Sequence, residues 1–314
     1  MTRLLITRAL PETIMAEARL AFDVTARDLD APMSLVECRT ALSDFDAIIP
    51  TLGDAFSAEA FGGPHRCKLL ANFGVGYNHI DVAAARAAGV EVTNTPGAVT
   101  DATADIAMTL ILMTARRAGE GERLVRSGKW PGWSPTQMLG QHVTGKTVAI
   151  IGMGRIGQAI ARRCHYGFGC AIVYANRSVK DVDVPAQQMP MADALAAADI
   201  VVVATPGGAD THHLIDAAAL ARLKPHSILI NISRGDVIAE ADLITVLERG
   251  NIAGAGLDVY EFEPNVPAAL RALENVTLLP HLGTSTLEVR EAMGAMALKN
   301  VLARSEGRAL PNPV

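Results

Sequence analysis

The sequence predicts an α/β protein made of two doubly wound parallel-sheet units, and three observations carry that reading. Short apolar or β-branched runs alternate with helical patterns through both halves of the chain, the order of parallel strands joined by crossover helices. Residues 147–178, TVAIIGMGRIGQAIARRCHYGFGCAIVYANRS, set Gly152, Gly154 and Gly157 between an apolar run and a helical pattern, with a second apolar run following. The length of 314 residues exceeds one ordinary hydrophobic core and points to about two domains.

The elements follow in order. RLLIT at 3–7 is the first strand, and 11–21 reads as a helix with Pro11 at its first turn. Further short strands are expected at 22–26, 47–50, 69–73 and 90–93. The helix at 80–88 ends at Gly89, as a helix C-terminus should. Residues 101–117 form the longest early helix, with Ile106, Leu110, Met113 and Thr114 at helical spacing, and it is expected to link the two domains. Residues 119–146 read as a long irregular stretch holding Trp130 and Trp133, the kind of segment that serves function or an interface. Strands resume at 147–151, 171–175, 200–204, 228–232, 252–258 and 276–279. A final helix spans 286–305, with Leu287, Met293, Met296, Ala297 and Val301 expected inward.

The glycine turn has a specific use. Gly152 permits a tight turn, Gly154 lets a pyrophosphate approach the backbone, and Gly157 lets the following helix sit close to the sheet. Arg155 and Ile156 open that helix, whose N-terminal amides would face the phosphates. Composition excludes other classes. A net charge of −5 gives no basic face for nucleic acid, and no apolar run approaches a membrane span. The N-terminus reads as a strand and not a signal peptide. Cys38, Cys67, Cys164 and Cys170 form no CxxC and no zinc-like cluster, so reduced thiols in a cytoplasmic protein are expected. The histidines are scattered without a carboxylate cluster, and no metal site is expected.

Ligands of such sheets bind beyond the carboxyl ends of the strands, near the switch point. Polar, glycine-rich corners fall there at 72–77, 205–208, 231–235, 258–264 and 280–284. Taken with NFGVGYNHID at 72–81, NTPGAVTDATAD at 94–105, VAIIGMGRIGQAIARR at 148–163, ATPGGADTHHLI at 204–215, LINISRGDVI at 229–238, GAGLDVYEFEP at 254–264 and LLPHLGT at 278–284, these corners show a chain that resembles the D-isomer-specific 2-hydroxyacid dehydrogenases over nearly its whole length. The resemblance is closest to their glyoxylate/hydroxypyruvate reductase branch. It implies a Rossmann cofactor domain, 99–286, inserted into a flavodoxin-like substrate domain formed by 1–98 and 287–314.

The resemblance also implies site residues. His281 matches the family's general acid/base, Glu263 (not Glu261) the carboxylate paired with it, and Arg234 the residue that binds the substrate's carboxylate and carbonyl. The chemistry wants these types: reduction of a 2-oxo acid needs a proton donor near neutral pH, a carboxylate favouring imidazolium, and a fork of donors for a planar anion. Val75 and Gly76 match a loop whose amides hold the substrate carboxylate. Asp258 matches an aspartate near the nicotinamide carboxamide, and Thr103, Thr205, Pro206, Ile232 and Gly283 match positions lining the cofactor, with Arg234 and His281 beside it.

The end of the second strand of the glycine motif bears on coenzyme choice. An NAD enzyme usually carries an acid there for the ribose 2′-hydroxyl. This chain has Asn176, Arg177 and Ser178, with Lys180 close by, so NADPH is expected over NADH, with NADH as the alternative. The expected activity is reduction of glyoxylate or hydroxypyruvate. The alternatives are another D-2-hydroxyacid dehydrogenase, taking a larger or phosphoglycerate-type substrate, and a nucleotide-sensing protein like the corepressor relatives. The family further implies a homodimer through residues 100–146.

Overall fold

A computed structural model describes all residues from Met1 to Val314. The chain divides into two compact units, Met1–Val99 with Thr284–Val314, and Thr100–Gly283. Both are α/β with an all-parallel sheet, as the alternation predicts.

The first unit contains β1 (Arg3–Ile6), α1 (Glu12–Ala21), β2 (Asp23–Ala26), α2 (Leu35–Asp44), β3 (Ala47–Ile49), β4 (Leu69–Ala71), α3 (Val82–Ala87), β5 (Glu91–Thr93) and the last helix of the chain, α11 (Leu287–Ser305). The strand order is β2-β1-β3-β4-β5, the flavodoxin-like order. Leu4, Ile6, Ile48, Ile49, Leu69 and Leu70 are fully buried, as strands covered on both faces require. Helix α11 returns to this unit by packing on α1. Gly294 makes that approach tight, since a Cβ there would stand 2.7 Å from Ile14 Cγ2. Leu287 is 63% exposed, against the expectation that it points inward. It is the first residue of the helix, nearly two turns ahead of the buried stripe of Met293, Gly294, Ala297, Leu298 and Val301, and Met296 is half-buried at the edge of that stripe.

The second unit contains α4 (Thr100–Ala115), α5 (Ala118–Arg126), β6 (Thr147–Ile151), α6 (Arg155–Arg162), β7 (Ala171–Ala175), β8 (Ala186–Gln188), α7 (Met191–Ala197), β9 (Ile200–Val203), α8 (Ala217–Leu220), β10 (Ile228–Asn231), α9 (Glu240–Glu248), β11 (Gly254–Leu257), α10 (Ala268–Ala272) and β12 (Val276–Leu278). Its sheet runs β12-β11-β10-β9-β6-β7-β8. Read from β8 to β11 this is the doubly wound dinucleotide-binding order with one strand added, and the switch point lies between β6 and β9.

Three local expectations are corrected. Strand β8, AQQ, pairs with β7 as an edge strand, and its polar sequence carries no strand pattern. Residues 118–126 are helical, although 119–146 read as one irregular stretch. Helix α5 buries no residue and is supported instead by charge pairs one turn apart, Arg117 with Glu120 at 2.8 Å and Arg126 with Glu122. The buried face of α4 is made of Thr103, Ala104, Ala107, Met108, Leu110, Ile111 and Ala115. Ile106, Met113 and Thr114 lie only half-buried beside it. Small alanines let α4 lie close to the sheet. At the facing strand, Gly256 has no room for a side chain: a Cβ would meet Thr114 Oγ1 at 2.8 Å and Leu110 Cβ at 3.0 Å.

No helix is long and apolar enough to cross a membrane. All four cysteines are free and buried, and burial pushes the Cys38, Cys67 and Cys164 thiols up to about 12.

Candidate active site

The polar corners of the second unit all sit at carboxyl ends of parallel strands. Beyond β6, Gly152 adopts φ +101°, which favours glycine, and a Cβ there would stand 2.8 Å from the Ala204 backbone. A Cβ on Gly157 would stand 2.2 Å from the Gly152 carbonyl, so helix and turn meet without side chains. Gly154 differs. It is exposed, nothing lies within 4 Å of where its Cβ would be, and it caps α6. An open backbone face at the start of a helix, with unsatisfied amides behind it, fits a pyrophosphate. Arg155 is exposed and Ile156 half-buried on the first turn.

Beyond β7, Asn176 is committed to the backbone: Oδ1 accepts from the Met153 amide at 3.2 Å, and Nδ2 donates to the Ser178 carbonyl at 2.8 Å. Arg177 and Ser178 are exposed, and the Arg177 guanidinium lies 3.5 Å from Asp210. Beyond β9, Thr205 is half-buried with its hydroxyl lacking a partner in the chain, and Pro206 is exposed.

Arg234 is placed by a bracket of local bonds. Buried Asn231 ends β10 and folds over the turn, its Nδ2 donating to the Arg234 carbonyl at 2.9 Å while its Oδ1 accepts from the Ser233 amide at 3.0 Å. Ile232 is buried, and the Ser233 hydroxyl donates to the Thr205 carbonyl. Two glycines clear space for the arginine. A Cβ on Gly207 would fall 2.6 Å from Arg234 Cγ, and one on Gly235 would fall 1.8 Å from the Tyr260 carbonyl carbon. Gly235 thus lets the loop after β10 touch the loop after β11, which carries Glu263. Burial pushes the Arg234 guanidinium down in pKa, against the charges of Glu263 and Asp236.

Glu263 Oε2 lies 2.9 Å from His281 Nδ1, and Glu263 Oε1 accepts from the Tyr260 amide at 3.0 Å. Burial acts to raise this carboxyl. The His281 hydrogen bond and charge, the Tyr260 amide and Arg234 together outweigh burial and hold it below the ordinary 4.5. His281 has φ +54°, a left-handed backbone at a non-glycine residue. Asp258, 1% exposed, shapes that turn: its carboxylate accepts from the Leu282 amide at 2.6 Å and the Gly283 amide at 2.8 Å, and its carbonyl accepts from the His281 amide. Thr103, buried on α4, donates to the Gly283 carbonyl at 3.1 Å. Asp258 and Thr103 therefore position the histidine turn through bonds within the protein.

Glu261 stands on a different partner. Its Oε1 bonds His213 Nε2 at 2.8 Å and its Oε2 accepts from the Glu240 amide at 3.2 Å. His213 has φ +49° and stacks on His212 at 3.9 Å. The expectation that no carboxylate accompanies the histidines is corrected here, because His212, His213 and Glu261 bring potential ligand atoms within 4.8 Å of one another. With both carboxylate oxygens engaged, Glu261 works as a tie among three segments and steadies the loop that carries Glu263. The sequence places Gly207, Asn231, Gly235 and Glu261 in the polar corners but does not reveal these roles, which depend on contacts between separate loops.

In the first unit, the loop after β4 is folded by two asparagines. Asn72 Nδ2 donates to the Gly74 and Gly76 carbonyls at 2.9 and 3.1 Å, and Asn94 Nδ2 to the Val75 carbonyl at 2.9 Å. With the carbonyls drawn to one side, the Val75 and Gly76 amides donate to no group of the protein, an arrangement suited to an anion.

Residues 108–283 match the model of the D-isomer specific 2-hydroxyacid dehydrogenase NAD binding domain. The chain is 40% identical to a glyoxylate reductase of Thermococcus onnurineus over 99% of this chain and 95% of that one. It is 39% identical to a glyoxylate reductase of Pyrococcus furiosus over the same shares. Among solved structures, the NADPH-dependent glyoxylate/hydroxypyruvate reductase of Sinorhizobium meliloti, in complex with NADP and malonate, is 34% identical with a TM-score of 0.89, covering 100% of this chain and 96% of that one. A glyoxylate reductase of Paecilomyes thermophila is 31% identical with a TM-score of 0.87, covering 100% and 98%.

Proposed function

We propose, because the chain belongs to the D-isomer specific 2-hydroxyacid dehydrogenase family of NAD(P)-dependent oxidoreductases, that it reduces small 2-oxo acids, glyoxylate and hydroxypyruvate, with NADPH preferred over NADH. The observation that carries the reading is the 2.9 Å bond between Glu263 and His281 Nδ1, on a loop that Gly235 brings against Arg234. Glycolate and D-glycerate are the products. The second unit is the cofactor domain and the first the substrate domain.

The roles follow from the chemistry. Glu263 fixes the imidazole through Nδ1, which leaves Nε2 to give a proton to the carbonyl oxygen. Arg234 binds the carboxylate and carbonyl of the substrate and stabilises negative charge growing on that oxygen. In the first unit, the Val75 and Gly76 amides are suited to a carboxylate. A bound nicotinamide coenzyme supplies the hydride to C2. Gly154 and the first turn of α6 hold its pyrophosphate, Arg177 and Ser178 its 2′-phosphate, and Thr205, Pro206 and Ile232 line its path.

Two further parts of the reading rest on exposure. Val125 on α5, a helix that buries nothing, and Trp130, Trp133 and Leu139 beyond it are 60%, 50%, 81% and 68% exposed, which supports a homodimer through residues 100–146. Four buried free thiols are in keeping with a cytoplasmic protein. Sedimentation showing a fully active monomer would remove the dimer.

Steady-state oxidation of NADPH and NADH with glyoxylate, hydroxypyruvate and larger 2-oxo acids tests the activity. The expected result is turnover of the small acids with higher kcat/KM for NADPH. Absence of turnover across all of them would favour a nucleotide-sensing protein.

A further inference from the structure

The coenzyme corner contains an acid that the order of the chain conceals. No carboxylate ends β7, where Asn176, Arg177 and Ser178 stand. The loop after β9 brings Asp210 to that corner, with Oδ2 3.5 Å from Arg177 Nη1. Both backbones are held. Asn176 ties the β7 end to the glycine turn and receives Gln188 on its carbonyl at 2.8 Å. Thr211 Oγ1 donates to the Pro206 carbonyl at 2.8 Å, and the Thr211 amide donates to the Gly208 carbonyl at 3.0 Å, which closes the turn around Asp210. The two side chains, by contrast, are 89% and 87% exposed and bond nothing else. They are solvent-exposed charges on fixed stems.

We propose that Asp210 is a specificity-determining residue that opposes NADPH by occupying Arg177. This rests on the reading of Arg177 as the 2′-phosphate ligand. Without a 2′-phosphate the pair stays intact and the corner is close to neutral. A 2′-phosphate must take Arg177 from Asp210 and then sit near that carboxylate. The phosphate's advantage is therefore smaller than the sequence NRS alone implies, and NADH remains a working coenzyme. Two opposite charges near 4 Å in water are worth a factor of about five in affinity, and salt reduces it because the pair is exposed.

The test is calorimetric binding of 2′,5′-ADP, NADP⁺ and NAD⁺ to the full chain, which requires no turnover. Asp210→Asn should tighten 2′,5′-ADP about fivefold at low salt and raise the NADP⁺-to-NAD⁺ affinity ratio by the same factor. Asp210→Lys should raise the ratio further, and the gain should shrink toward 0.5 M salt. In an Arg177→Ala background Asp210→Asn should lose most of its effect. A ratio within about twofold of wild type in both Asp210 variants, or an undiminished effect of Asp210→Asn without Arg177, would overturn the proposal. Arg177→Ala alone separates the two levels. If it leaves 2′,5′-ADP binding unchanged, the 2′-phosphate reading has failed and this proposal fails with it. If it weakens 2′,5′-ADP while the Asp210 variants change nothing, only the role of Asp210 is lost.

Discussion

Two corners of the same sheet are built on opposite plans. Beyond β10, β11 and β12, Arg234, Glu263 and His281 are held by partly or wholly buried bonds from Asn231, the Tyr260 amide and Asp258, in space that Gly207 and Gly235 keep clear. Beyond β7, Arg177 and Ser178 stand in solvent, and one long ion pair is the only contact of the Arg177 guanidinium. The first plan fixes geometry, as the proposed proton transfer requires, because small displacements are costly there. The second leaves charges free to rearrange around a ligand. Changes at the first corner should damage rate and stability together, and changes at the second should move coenzyme choice alone.

The largest break is expected at His281, the proposed proton donor. His281→Asn should lower kcat with glyoxylate by about 10²–10⁴-fold, the usual contribution of a positioned acid, with reduced-coenzyme binding largely retained in a fluorescence titration. Gly235→Ala comes next. Its methyl would overlap the Tyr260 backbone, so urea unfolding should show a loss of about 3 kcal/mol, with activity lost in parallel. A wild-type midpoint would break the claim that this contact holds the two loops together.

Glu263→Gln sharpens the electrostatic side. Because the folded carboxyl lies below its ordinary 4.5, its stabilising contribution is complete above that pH and is lost as the pH falls through the lower folded value. The stability gap between wild type and Glu263→Gln should therefore be widest near neutrality and close on acidification below 4.5. A gap independent of pH would mean that the carboxylate is not held by His281 and Arg234. The smallest effect belongs to the open corner. Arg177→Ala should cut kcat/KM for NADPH about tenfold, the worth of one charge-assisted contact in solvent, and affect NADH much less, with unfolding unaltered. Equal losses with both coenzymes would erase the contrast between the corners.

The elements of the chain were also unequally legible. Strand alternation, the glycine turn and the residue types at the strand ends could be read directly. Strand β8 could not, because an edge strand of one alanine and two glutamines has no buried face to impose a period. Helix α5 was hidden for the converse reason, since charge pairs and not apolar spacing support it. Leu287 was misplaced because periodicity names a face without saying where along a helix its packing begins.

By itself the sequence determined the α/β class, the turn at Gly152, Gly154 and Gly157, and the chemical types available for hydride-transfer chemistry. These depend on neighbours within a few residues, where backbone sterics and side-chain period act. Tertiary structure alone decided that α11 packs on α1 through Gly294, that Glu261 meets His213, and that Asp210 reaches Arg177, whereas the family resemblance already implied the pairing of Glu263 with His281. Each of these joins residues far apart in the chain, and such distances are set by how strands are ordered in a sheet, which no local pattern records.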